Sequence, residues 1–220
     1  MHDFPIVLFD LDGTLIDSTP AIVESFETAF HCCGSLCPPA DEVTALIGHP
    51  LLVMFARLGV HQGRLEEHVA AYKTHYRTVA TAKTSLLPFA REAVEEAAGF
   101  ARLGVVTTKT GSYSRVILEH LGIMDYFEVL VGYEDVVNVK PHPEPVLTAL
   151  QRIGGVASER VFMVGDTSMD VQSALGACVT PLAVTSGYEA EEQLRCHAAH
   201  IFDHALDACR FARRKVLSGG

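Results

Sequence analysis

At 220 residues, with 49% hydrophobic and 20% charged side chains, the chain has enough apolar material for one large domain or two small ones and is not disordered. A formal charge of −10 argues against nucleic acid or an anionic membrane surface as partner; an anionic small substrate stays open, because a bound metal ion can reverse the local field. No apolar run reaches the length of a membrane span and no basic region precedes the first apolar stretch, so neither a membrane segment nor a signal peptide is expected, and a cytoplasmic location is.

The chain opens, six residues in, with IVLFDLDGTLIDS. Four consecutive apolar residues, Ile6–Phe9, read as a strand covered on both faces. Asp10 and Asp12 follow, and Gly13-Thr14 turns the strand into a loop. Two ionised carboxylates about 4 Å apart repel by about 4 kcal/mol at an effective dielectric of about 20, so a cation, a basic partner or a shared proton must stand beside them.

Residues 19–82 are rich in helix formers and hold no convincing strand. A helix is predicted from Thr19 through Phe30, capped by Ser18 or Thr19, and breaks at Pro38-Pro39, Gly48-His49-Pro50 and Gly59 divide the remainder into short helices. Cys32, Cys33 and Cys37 in this block lack the paired spacing of a metal site; with Cys178, Cys196 and Cys209 they read as buried or idle thiols of a reducing compartment.

From residue 86 the text alternates. Strands are predicted at 103–106, 128–131, 161–164, 180–184 and 200–202, with helices near 88–98, 111–121, 143–153, 168–175 and 204–216. This predicts an α/β fold, a doubly wound parallel sheet, with a small helical cap inserted after the first strand. The core is assigned to 1–16 and 84–220 and the cap to 17–83. Such an insert lies over the carboxyl end of the strands, where open parallel sheets bind ligands, and reads as a lid.

Three later stretches place polar residues just after an apolar strand. In LGVVTTKTGS, Thr107 and Thr108 stand before a helix start, a place for an anion and equally for a helix cap. In VVNVKPHPEP, Lys140 precedes Pro141, which makes it extended; alone it reads as a solvated loop charge. In VFMVGDTSMD, Asp166 and Asp170 face one mouth if a helix begins at 167 or 168, and otherwise read as a capping acid and a solvated acid.

Together these stretches run acid-x-acid, hydroxyl, lysine, acid pair, each at the end of a successive strand. The combination, D-x-D-G-T at 10–14, Thr107, Lys140-Pro141 and G-D-x-x-x-D at 165–170, resembles the haloacid dehalogenase superfamily of phosphohydrolases, over nearly the whole chain. Within it, LGVVTTK, EDVVNVKPHPEP and MVGDTSMD resemble the phosphoglycolate phosphatase group and, equally, its inorganic pyrophosphatase relatives. The resemblance implies that Asp10 is the nucleophile, forming an aspartyl-phosphate, and that Asp12 is the acid for the leaving oxygen and then the base for water. It implies Mg²⁺ held by Asp10, the Asp12 carbonyl and Asp166, with Asp170 supporting that shell. Thr107, with the backbone of Thr108, then binds phosphate, and Lys140 neutralises charge on Asp10 and the phosphoryl oxygens. In the cap, Gly48 permits a bend that can point His49 at the substrate; Lys109 and His142 receive no role.

The expected activity is Mg²⁺-dependent hydrolysis of a small phosphorylated metabolite by a monomer or homodimer, with 2-phosphoglycolate favoured over pyrophosphate. A phosphosugar mutase would use the same nucleophile but return the phosphoryl group to substrate. A phospho-receiver domain also combines an acceptor aspartate, acids, a threonine and a lysine, but carries its acidic pair before the acceptor. Here the acceptor-like pair lies on the first strand and a cap follows it.

Overall fold

Strand β1 (Ile6–Phe9) is buried along its whole length in the computed structural model, which describes residues 4–218. The first three residues, ahead of it, and the last two lie outside the described part. Alternate β1 side chains serve different cores. Val7 and Phe9 join one hydrophobic cluster, Ile6 and Leu8 another. That division is what a strand with helices on both faces requires, and it explains the unbroken apolar run.

After β1 come β2 (Ile16–Asp17) and then helices α1 (Thr19–Cys32), α2 (Ala40–Thr44), α3 (Leu51–Arg57) and α4 (Leu65–Val79). Strand β3 (Ser85–Leu86) pairs antiparallel with β2, Ile16 opposite Leu86 and Asp17 opposite Ser85. The helical stretch therefore leaves and rejoins the sheet domain through one short ribbon. Two-residue strands carry no periodicity, and the sequence did not predict this ribbon. Between the helices sits an aromatic cluster: Phe26 lies 4.4 Å from Phe55 and 5.0 Å from Tyr72, ring centre to ring centre. Burial of such rings holds short helices that would be marginal alone.

The remaining elements alternate: α5 (Ala90–Ala98), β4 (Arg102–Val106), α6 (Gly111–His120), β5 (Phe127–Val131), α7 (Glu144–Ile153), β6 (Val161–Gly165), α8 (Ser168–Gly176), β7 (Thr180–Val184), α9 (Glu191–Arg195), β8 (Ile201–Phe202) and α10 (Ala205–Ser218). The predicted strands and helices are present to within about two residues at most ends; α9 was not predicted. Six strands form one parallel sheet in the order β5-β4-β1-β6-β7-β8. Helices α5 and α10 cover one face, α7 and part of α8 the other. The chain builds outward from β1 through β4 to β5, then crosses back to β6 on β1's other side. That reversal opens a crevice at the carboxyl ends of β1, β4 and β6, where doubly wound sheets bind ligands. No helix among the described residues is long and apolar enough to cross a membrane.

One cap assignment differs. Ser18 takes the N-cap place of α1 but makes no capping hydrogen bond; its hydroxyl donates to Asp12 instead. The free N–H of Thr19 is met by Asp17 Oδ1 at 2.9 Å. A hydroxyl before a helix has two uses, and here the neighbouring carboxylate takes it.

Candidate active site

Three strands deliver the candidate residues to one mouth. Asp10 follows β1, Thr107 follows β4 and Asp166 follows β6. Lys140 reaches the same point from the segment before α7, across a cis peptide bond to Pro141. Its ammonium lies 2.8 Å from Asp10 Oδ1 and 2.5 Å from Asp170 Oδ1, and donates to the Val106 carbonyl at 3.1 Å. Only 4% of Lys140 is exposed, so it is a buried cation joining two carboxylates rather than a solvated loop charge.

Asp10, Asp166 and Asp170 place carboxylate oxygens within 4.8 Å of one another, all buried. The charges do not balance. Burial, with Asp170 adding to it against the opposing Lys140, pushes Asp10 up to about 7. Burial first, then Asp10 and Asp170, holds Asp166 well above the usual carboxylate range. Burial opposes the charge on Lys140, but Asp10 and Asp170 outweigh it and raise its pKa.

Asp166 is held on both oxygens. Thr14 Oγ1 donates to one at 3.0 Å and the Tyr188 amide to the other at 2.9 Å. The backbone comes close enough for this only because Gly13 and Gly187 flank the carboxylate: a Cβ on either would overlap Asp166, and Gly13 also has φ +83°. Gly187→Ala is expected to destabilise the protein by about 1–3 kcal/mol through overpacking, read as a lower urea midpoint at unchanged slope.

Asp170 does two jobs the sequence offered as alternatives. It caps α8, accepting from the Thr167 amide at 3.1 Å and hydroxyl at 2.7 Å, and its other oxygen pairs with Lys140. Neither Asp166 nor Asp170 is solvated.

Asp12 points away from this cluster. Both its oxygens accept from Lys109 Nζ, at 3.0 and 2.8 Å, and Ser18 adds a short hydrogen bond. Lys109 received no role from the sequence, because a lysine after two threonines reads as a loop charge. Its side chain is instead only 9% exposed; burial opposes its charge and Asp12 outweighs that, with its ammonium 5.0 Å from the centre of the Tyr76 ring.

Thr107 Oγ1 accepts from the Lys109 amide at 3.1 Å, which leaves its O–H to donate. The Thr108 hydroxyl donates to the Gly48 carbonyl at 2.7 Å, tying the strand end to the helical block. The first amide of α6 is not free for an anion: Gly111 N–H is taken by Glu134, 3.0 Å from each oxygen. His49 lines a cavity of about 320 Å³ that Asp12, Thr108 and Lys109 also line. Its Nε2 accepts from Arg57 at 2.8 Å, and burial with that neighbouring charge lowers its pKa. His142 stays in its own loop, where Nδ1 accepts from the Glu144 amide. In the helical block Cys33, Glu67 and His68 also converge within 4.8 Å, but Arg64 engages Glu67 with its side chain and His68 with its carbonyl.

A sequence profile described as haloacid dehalogenase-like hydrolase matches residues 7–184. The "Probable phosphatase IndB" of Dickeya dadantii is 33% identical over 198 residues, covering 87% of this chain and 85% of that one. A "Phosphoglycolate phosphatase" of Yersinia pestis is 33% identical over 213 residues, covering 90% of each. The crystal structure of a haloacid dehalogenase-like hydrolase from Bacteroides fragilis superposes with a TM-score of 0.86 at 27% identity, covering 93% of this chain and 99% of that one. With the profile spanning most of the sheet domain and the helical block, and relatives of this identity covering most of its length, the chain belongs to the haloacid dehalogenase-like hydrolases.

Proposed function

We propose that this chain is a Mg²⁺-dependent phosphatase that hydrolyses a small phosphomonoester in two steps, Asp10 carrying the phosphoryl group between them. The observation that carries this reading is the buried Lys140 ammonium shared by Asp10 and Asp170, beside the excess charge of Asp166. A carboxylate this enclosed, with a cation on one oxygen, has its other oxygen for attack on phosphorus.

The donor set fits Mg²⁺. Three buried carboxylates face one ammonium, and hard oxygen ligands with excess negative charge are what such an ion takes. Asp10, Asp166 and Asp170 would hold it, with the Asp12 carbonyl as a further donor. When bound, the ion offsets the carboxylate repulsion and polarises the phosphoryl oxygens.

The chain's own groups supply the rest. Lys140 stabilises charge developing on the phosphoryl oxygens, and the Thr107 hydroxyl and Thr108 amide orient them. Asp12 gives a proton to the leaving oxygen, then takes one from the water that cleaves the acyl phosphate on Asp10. Lys109 holds both Asp12 oxygens, and Asp12 must leave it to reach the leaving oxygen. Residues 17–83 act as a cap over this mouth. The names of relatives support 2-phosphoglycolate as a substrate, while the leaving alcohol itself is chosen by the cap side of the cavity.

Chelation is expected to lower turnover of a phosphomonoester by at least about a hundredfold, and added Mg²⁺ to restore it. Acid quenching during turnover is expected to trap one phosphoryl group on Asp10. Full activity after exhaustive chelation, or label recovered elsewhere than Asp10, would contradict the proposal.

A further inference from the structure

The wall of the cavity beside Asp12 holds two lysines in different states. Lys109 carries both Asp12 oxygens, at 3.0 and 2.8 Å. Lys73, half-buried on α4, makes no ion pair or side-chain hydrogen bond among the described residues. It belongs to the face that α4 turns to the cavity, Glu66, Val69, Ala70 and Lys73, spaced i, i+3, i+4, i+7. Lys73 also stands about one turn before Tyr76, whose ring centre lies 5.0 Å from the Lys109 ammonium. A lysine's flexible four-carbon stem lets the second ammonium reach the same neighbourhood.

Asp12 has to leave Lys109 before it can reach the leaving oxygen. Lys109 is then a cation whose side chain is only 9% exposed, with no anion beside it, and a stranded buried charge is costly. The wall offers little to replace Asp12. Its other acid, Glu66, is exposed and lies two helical turns, about 10 Å, from Lys73. His49 adds no charge, since its Nε2 accepts from Arg57. The phosphoryl group belongs with Asp10, Lys140 and Thr107, none of which lines this cavity. With Asp12 withdrawn, the wall carries two ammonium groups against the Glu66 carboxylate. That surplus of one positive charge is matched by a single carboxylate and exceeded by a second phosphate.

We infer that Lys73 and Lys109 form an anion subsite for the leaving group: a carboxylate on the alcohol displaces Asp12 from Lys109, is held by Lys73 as well, and so frees Asp12 to act at the leaving oxygen. Lys73 is then a specificity-determining residue, and Lys109 couples recognition of the carboxylate to release of the acid. This rests on the phosphatase reading above and deepens it.

2-Phosphoglycolate and glycolamide phosphate are esters of primary alcohols of the same shape and differ in the charge beyond the oxygen. Acetyl phosphate, whose acetate leaves without needing a proton, reports the Asp10 step separately. With Mg²⁺ present, kcat/KM for 2-phosphoglycolate is expected to exceed that for the amide by about tenfold or more. Lys73→Gln is expected to narrow that ratio by about fivefold or more, and Lys73→Arg to keep most of it. Lys109→Gln is expected to narrow it too, the amide losing less than the carboxylate because Asp12 no longer has to be displaced. Equal or reversed preference in the wild type, with acetyl phosphate still hydrolysed, overturns this inference and leaves the phosphatase reading standing. So does a ratio unmoved by Lys73→Gln, the result of a merely structural lysine. A ratio moved by Lys73→Gln but not by Lys109→Gln overturns the coupling to Asp12. Failure of the folded, Mg²⁺-supplied protein to hydrolyse acetyl phosphate overturns both the subsite and the phosphatase reading.

Discussion

Asp10→Asn is expected to lower turnover by about 10⁴-fold or more while the protein stays folded, because the amide removes the only group proposed to bond to phosphorus. The same substitution makes a second, opposite prediction for stability. Burial raises the Asp10 carboxyl from 3.8 to about 7, Lys140 only partly opposing it. The folded state thus binds this proton more tightly than the unfolded state, and the metal-free protein loses stability as pH climbs from about 4 through 7. Above pH 7 the carboxyl costs the fold its full amount; at pH 5 it costs less, and the cost vanishes only below about pH 4. Calorimetry in a chelator should therefore find the variant melting above the wild type at pH 8, with the gap narrowing by pH 5. An equal gap at both values would remove the charge explanation. A variant keeping a tenth of wild-type turnover would remove Asp10 as nucleophile.

Lys140→Met should damage fold and chemistry together. The ammonium is buried, 2.8 Å from Asp10 and 2.5 Å from Asp170. Methionine fills much of the volume but leaves three buried acids with no cation among them. Removing one partner of a buried ion pair costs about 3–5 kcal/mol, because the stranded charge stays desolvated. Turnover is expected to fall by about 10²–10³-fold, the usual loss for one electrostatic donor to a transition state. The two effects separate with Mg²⁺. The ion should return most of the lost melting temperature, since it meets the same carboxylates, but not the turnover, since it does not replace the ammonium on the phosphoryl oxygens. Thermal melts and steady-state rates on the same samples check this; turnover restored by Mg²⁺ alone would make Lys140 a purely structural cation.

The core of the fold was legible because its strands are continuous apolar runs and its breaks are marked by Gly, Pro and Asp. Asp10, Thr107 and Asp166 were legible because each stands at a strand end, and Lys140 because it stands in a loop directly before a proline. What escaped depends on contacts between residues far apart in the chain. Lys109 looks like a loop charge until Asp12 is placed beside it, 97 residues away. Ser18 looks like a helix cap until the same carboxylate claims it. The amides opening α6 look free until Glu134 folds back onto Gly111. The cavity wall is the furthest from the text, since Ile47, Leu51 and Tyr72 read as ordinary core residues of a helical block. Short ribbons such as β2–β3 fail for another reason: two residues are too few to show a period.

That ribbon has an evolutionary consequence. Asp17 and Ser85 are paired, so the backbone leaves for the helical block and comes home at points about 5 Å apart. Everything between them can drift, lengthen or be traded for another module while the junction keeps its geometry. The groups proposed to handle phosphorus sit on the parent sheet, and most of the wall facing the alcohol sits on the guest. A lineage with this architecture can acquire new substrates through changes confined to the guest, without reinventing the hydrolytic step.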